Sequence, residues 1–160
     1  RQISYYTNSG NDIYTTNSYD TVEYKGSQVS KITYVWKSET IFYVTFTWSN
    51  DNIITEKYYS KENDNFILLQ KYDYQYDEKI NKYKAINNLP MFESEILSKS
   101  EILSKNNQTS ATTTSYYNGH EYTSAISIDY LYNSDNYPIQ QKETDVETQT
   151  VRKNYSFEYR

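Results

Sequence analysis

Cysteine is absent from the 160 residues, which excludes disulfide staples, thiolate catalysis and cysteine-ligated metal. It leaves the compartment open. Only three glycines and two prolines occur, too few for a flexible low-complexity chain. Basic residues number 16 against 21 acidic ones, interspersed to a net charge of -5, so no basic stripe exists and nucleic-acid binding is excluded as an expectation. Nowhere does an apolar run reach the roughly 18 residues of a spanning helix. The chain opens at Arg1 without methionine and reads as a processed or trimmed chain whose targeting segment has gone.

What the chain has in excess is tyrosine. Twenty-one tyrosines offset a mean hydropathy of -0.95, because a phenol ring can be buried while its hydroxyl keeps a polar partner. With that area to bury, 1–160 is expected to form a single domain.

The tyrosines follow a period of two, the signature of strands. In 66–77, Phe66, Leu68, Gln70, Tyr72, Tyr74 and Tyr76 fall on one face, opposite Lys71, Asp73 and Gln75. The stretch 40–48 sets Phe42, Val44, Phe46 and Trp48 against Tyr43, Thr45 and Thr47, and 28–36 aligns Ile32, Tyr34 and Trp36. Further strands are expected at 21–25, 53–60, 108–117, 122–132, 138–146 and 151–159, and two short ones within the first twenty residues. Short polar turns such as Asn50-Asp51-Asn52 and Asn133-Ser134-Asp135-Asn136 separate them. Short loops between successive strands mean antiparallel neighbours. The expected fold is all-β: a curved antiparallel meander or half-barrel of about eight to ten strands.

Alternation breaks at 79–105, where Ser-Glu-Ile-Leu-Ser-Lys occurs twice in succession, from Ser94 and from Ser100. A short helix is expected here after Pro90, capped by Ser94, with the duplication read as a neutral slip in a tolerant connection.

Chemistry-bearing motifs are few. The single histidine, His120, follows Gly119 at a strand start and lacks the partners of a triad or a metal centre. Asp73, Asp77, Glu93 and Asp129 could in principle supply a carboxylate pair, yet acids are scattered evenly. The Asn/Asp loops lack the spacing of a calcium loop and suit turns. No enzyme, cofactor or metal is expected.

The runs Tyr72-Asp-Tyr-Gln-Tyr-Asp-Glu-Lys-Ile-Asn81, Leu103-Ser-Lys-Asn-Asn107, Tyr130-Leu-Tyr-Asn-Ser-Asp-Asn-Tyr-Pro138 and Tyr155-Ser-Phe-Glu-Tyr159 resemble tyrosine-rich exported lipoproteins of Bacteroidetes. That family, of unknown function, has a porin-like curved antiparallel sheet and strand units similar to tyrosine-aspartate repeats. The resemblance covers about residues 20 to 160. This chain departs from the pattern in having Lys82 and Gln108 where proline usually follows the asparagines, and in the duplicated hexad. The resemblance implies an extracytoplasmic location, in the periplasm or at the outer-membrane surface, and a precursor with a signal peptide and lipidated cysteine. Peripheral membrane association would come only through such an anchor. Asp20-Thr21-Val22 has the form of a Bacteroidetes O-glycosylation site.

Porin-like need not mean lipid-facing. Glu56 and Lys57 lie on opposite faces of one strand, and 138–146 carries Glu143 and Asp145 against Lys142, whereas a charge at the bilayer midplane costs about 2 to 4 kcal/mol. The expected function is a non-catalytic module binding a glycan, peptide, apolar molecule or envelope protein through an aromatic face. Trp36, Trp48, Tyr72, Tyr74, Tyr76 and Tyr130 are the candidate ligand-binding residues. A purely structural envelope module and a half-barrel lipid carrier remain alternatives, and the same aromatics could simply be core.

Overall fold

The computed structural model describes the backbone of residues 2–9, 12–85 and 99–159, and side chains of 19–84 and 99–159. Ten strands form one sheet in chain order: β1 (Gln2–Ser9), β2 (Asp12–Lys25), β3 (Gln28–Trp36), β4 (Glu39–Ser49), β5 (Asn52–Glu62), β6 (Asn65–Tyr76), β7 (Gln108–Tyr117), β8 (His120–Tyr132), β9 (Pro138–Asp145) and β10 (Val151–Ser156). All nine pairings are antiparallel. β1 and β10 are the edges, so the sheet is open.

Turn chemistry sets this meander. Lys37-Ser38, Asn50-Asp51, Asn63-Asp64 and Asn118-Gly119 each place two successive residues at positive φ, the geometry of two-residue hairpins that match strand twist. Register shifts interrupt eight of the nine ladders, every one except β7 with β8. Each bulge adds a local bend and extra twist, and together they curl the sheet around one face.

One bulge corrects the sequence reading of 66–77. Gln70 pairs with Tyr58 but Leu68 pairs with the adjacent Tyr59, leaving Leu69 as the extra residue. Phe66 and Leu68 therefore leave the face of Tyr72 and Tyr74. Phe66 instead meets Tyr43, which stacks on Tyr59, on the opposite side of the sheet.

Cross-strand partners share a face, so the ladders trace the inside of the curl. One row runs Val22, Ile32, Val44, Tyr58, Gln70, Ser115, Tyr122; the next runs Phe46, Glu56, Tyr72, Thr113, Ser124. Both rows begin apolar and turn small and polar on β7, at Ser115 and Thr113; the second ends on Ser124, the first on the exposed Tyr122. The core accordingly lies over β2 to β5, where Val22, Val29, Ile32, Val44, Phe46 and Ile53 cluster with Tyr34, Trp48, Tyr58, Tyr74 and Leu103 around them. Ile32 and Ile53 are fully buried, each contributing about 1.5 to 3 kcal/mol.

The connection between β6 and β7 caps one end of this face. Its described parts are a 3-10 turn, Lys82–Ala85, and a five-residue helix, α1 (Lys99–Leu103). The helix expected after Pro90 with its Ser94 cap lies outside the described residues. The second hexad copy is no tolerant insert: Ser100 and Ser104 are wholly buried, Ile102 is buried and Leu103 joins the core. Ser104 Oγ receives the Ile53 N–H and donates to Tyr76, and the Ser100 N–H goes to Glu56 Oε1 at 2.8 Å.

Candidate functional site: a trough beside the cap

Asparagines clasp the two arms of the cap to each other. The buried Asn81 amide donates to the carbonyls of Glu101 (2.7 Å), Ser104 (2.9 Å) and Asn106 (3.2 Å), while its oxygen accepts the Tyr83 N–H. Asn107 Oδ1 accepts the Lys82 N–H at 2.9 Å, and its amide donates to the Ile80 carbonyl. A proline at 82 could not supply that N–H, so Lys82 at this position is used by the clasp. Tyr132 donates to Asp77, and Tyr159 donates to the Pro138 carbonyl at 2.7 Å.

A buried ion pair closes the cap's other flank. Lys82 Nζ lies 3.1 Å from Glu101 and also donates to Gln141, whose amide donates to Glu143 at 2.9 Å. Lys153 faces Glu143 at 3.7 Å, and Arg152 pairs with Asp145. Beneath the cap, Glu56 is 1% exposed; burial raises its pKa above the ordinary 4.5, partly offset by donors from Tyr58 and Ser100.

The small residues of β7 and β8 leave a trough alongside. A hollow of about 260 Å³ is walled by Tyr72 and Tyr74, floored by Ala111, Thr113, Ser124, Ile126 and Ile128, and bounded by Glu101, Gln108, Glu143, Arg152 and Lys153. Along β6 and β7, Gln70 and Ser115 continue it into a second hollow of about 480 Å³ lined by Phe42, Tyr58, Tyr59, Ser60, Leu69, Tyr116 and Tyr117. Tyr72 bridges the two by donating to Gln70 Oε1 at 2.9 Å. Its ring is parallel to that of Tyr74 and edge-on to that of Tyr58. Burial first, then the Glu56 carboxylate, raises the pKa of Tyr58 and Tyr72; Tyr34 is pushed up to about 12 by burial, Asp20 and Glu56. These phenols are uncharged at neutral pH.

The six sequence candidates separate. Tyr72 and Tyr74 meet in the trough. Trp48 packs on the core and donates to the Val29 carbonyl at 2.7 Å. The Tyr76 hydroxyl is taken by Ile53 O and Ser104. Tyr130 is half-buried under the cap, with Lys82 Nζ 6.0 Å from its ring. Trp36 is 50% exposed at the end of β3, with Lys37 over its ring. Sequence reasoning missed Tyr58, Gln70 and the floor of Ala111, Thr113 and Ser115, although three small residues at alternate positions of β7 were the available signal.

The other singled-out groups lie elsewhere. Asp73 pairs across the outer face with Thr55 and Thr112 and bonds Lys71, Asp129 is exposed opposite Lys142, Asp77 is held in the clasp, and Glu93 is outside the described residues. His120 is exposed beside Tyr122. Asp20 is buried within β2, which is paired on both sides at Thr21.

The fold is that of porin-like proteins from Bacteroides. A porin-like protein from Bacteroides vulgatus superposes with a TM-score of 0.56 at 13% identity, over 99% of this chain and 72% of that one. A second, from Bacteroides uniformis, gives a TM-score of 0.52 at 12% identity, over 89% of this chain and 58% of that one. No family model and no curated protein matches the chain.

Proposed function

We infer that the chain is a non-catalytic, extracytoplasmic binding module whose ligand occupies the trough between the cap and the open end of the curl. The carrying observation is the trough itself: tyrosines on one wall, a floor of small residues, and a pinned cap at one end. Rigid amphipathic rings beside a preformed hollow suit recognition. The boundary charges have counter-charges, Glu101 with Lys82, Glu143 with Lys153 and Arg152 with Asp145, which suits binding better than proton transfer.

The extracytoplasmic location follows the resemblance to tyrosine-rich exported lipoproteins and the fold shared with Bacteroides porin-like proteins. The outer face does not suit lipid, because Lys57, Lys71, Asp129 and Lys142 stand on it in mid-strand, a lysine costing about 2 to 4 kcal/mol at the hydrocarbon midplane and an aspartate somewhat less.

An amide NMR screen of the isotope-labelled chain against a mixed library of saccharides, peptides and lipids tests the reading. Shifts should cluster at 70–74, 111–115 and 122–128. A ligand that perturbs only the outer face or the β10 edge would refute it, as would unchanged binding in Ser124→Trp, which fills the floor from an exposed position.

A further inference from the structure

We propose that the trough's ligand is an uncharged saccharide, an inference that rests on the binding reading above and names its ligand class. The charge balance comes first. Among the described residues, the larger hollow is lined by no Asp, Glu, His, Lys or Arg. The smaller has two carboxylates and two cations, Glu101, Glu143, Arg152 and Lys153, and each already faces an opposite charge. An anionic ligand would compete with Asp145 and Glu143 for Arg152 and Lys153, and a cationic one with Lys82 and Lys153 for Glu101 and Glu143.

The polar groups come second. The lining ends in hydroxyls and carboxamides, from Ser60, Gln70, Thr113, Ser115 and Ser124, set between phenol rings. A purely apolar guest would strip water from these groups without replacing its hydrogen bonds. A sugar presents hydroxyls to them and C–H surface to the rings.

The backbone comes third. Over the trough floor, 70–73 of β6, 110–115 of β7 and 126–127 of β8 have strand partners on both sides, whereas 120–124 of β8 pair with β7 alone. A peptide strand gains affinity from main-chain hydrogen bonds at a free sheet edge, which this face offers along 120–124 of β8 and not over the doubly paired part of the floor. There side-chain hydroxyls are what remains, and they match a polyol.

The test is calorimetric titration of the whole chain with unbranched oligomers of glucose, mannose and xylose, with uronic-acid oligomers, and with a long-chain fatty acid. Binding of at least one uncharged series is expected, weakened about tenfold by Tyr72→Ala and abolished by Ser124→Trp. The second variant covers the chance that Tyr72→Ala unfolds. Preferential binding of the uronic-acid series overturns the proposal. So does fatty-acid binding without saccharide binding; if Ser124→Trp blocks it, the trough still stands as the binding site. Saccharide binding that neither variant changes overturns it too. Silence across the panel overturns the saccharide assignment, while the trough is judged separately by the NMR screen.

Discussion

Replacing Asn81 with alanine asks whether hydrogen bonds between the two arms of the cap, rather than the apolar contacts of Ile102 and Leu103, keep the cap folded. Asn81 is 2% exposed, and its two amide protons are shared among three carbonyls while its oxygen takes the Tyr83 N–H. Alanine strands that N–H and at least one carbonyl away from water. At about 1 to 3 kcal/mol for each buried unsatisfied group, the loss should be about 2 to 6 kcal/mol, a large part of the stability of a domain this size. Asn81→Asp sharpens the test. It keeps the acceptor for Tyr83 but turns a carboxylate toward three carbonyl oxygens, so it should be less stable than alanine at pH 7. Burial raises the folded-state pKa of that carboxyl, and the deficit should therefore shrink as pH falls from neutral toward the unfolded value near 3.9. Urea denaturation followed by tryptophan fluorescence gives both numbers, provided the slopes agree. Exchange protection should fall in parallel at the Lys105 amide, which bonds the Asp51 carbonyl. An alanine cost below about 0.5 kcal/mol, or an aspartate variant equal to alanine at pH 7, would refute the clasp.

Four further expectations rest on the same geometry. Glu56 has a folded-state pKa raised by burial, so the folded chain binds its proton more tightly than the unfolded chain, and stability should fall as pH rises from 4.5 through the raised value; Glu56→Gln should remove that slope in thermal melts across pH 4 to 8. Asp145 acts with opposite sign in a different window, since donors from Thr148 and Arg152 hold it down to about 2, and its contribution is lost only as pH falls from 3.8 toward 2. Trp48→Phe should cost about 1 to 3 kcal/mol by leaving the Val29 carbonyl without its donor, whereas Trp36→Ala should cost less in the same denaturation assay; equal costs would contradict the placement of Trp48 in the core. Ser38 sits at φ 66 in the β3–β4 turn, so Ser38→Gly should raise the urea midpoint by the equivalent of about 1 kcal/mol, and no gain would argue against that turn geometry.

The meander was legible because hairpin turns and period-two alternation are local properties, carried by Asn50-Asp51 or by Phe42, Val44 and Phe46 whatever lies beyond them. The bulge at Leu69 was not, because one extra residue reverses the facing of everything before it and leaves the periodicity of everything after it intact. Its trace was the unalternating run Phe66-Ile67-Leu68-Leu69, whose two sides are equally apolar. The cap was illegible for a different reason. A loop asparagine and a clasp asparagine are the same residue in sequence, and only the approach of residues 101–106 to residue 81 separates them.

That distinction also decides where recognition can reside. Tyr76, Asp77, Asn81, Ser104, Asn107, Tyr132 and Tyr159 belong to the runs that first stand out in the chain, and each spends a polar group on fixing the cap or the C-terminal segment. A ligand could reach them only by dismantling the clasp. The trough residues come from the opposite kind of sequence, the unremarked Thr113, Ser115 and Ser124, whose contribution is to be small and hydroxylated opposite Tyr58 and Tyr72. The motif therefore builds the cap, and the low-signal strands β7 and β8 shape the trough beside it. Substitutions in the motif should lower stability and binding together, whereas Ser124→Trp should remove binding and leave the unfolding transition in place.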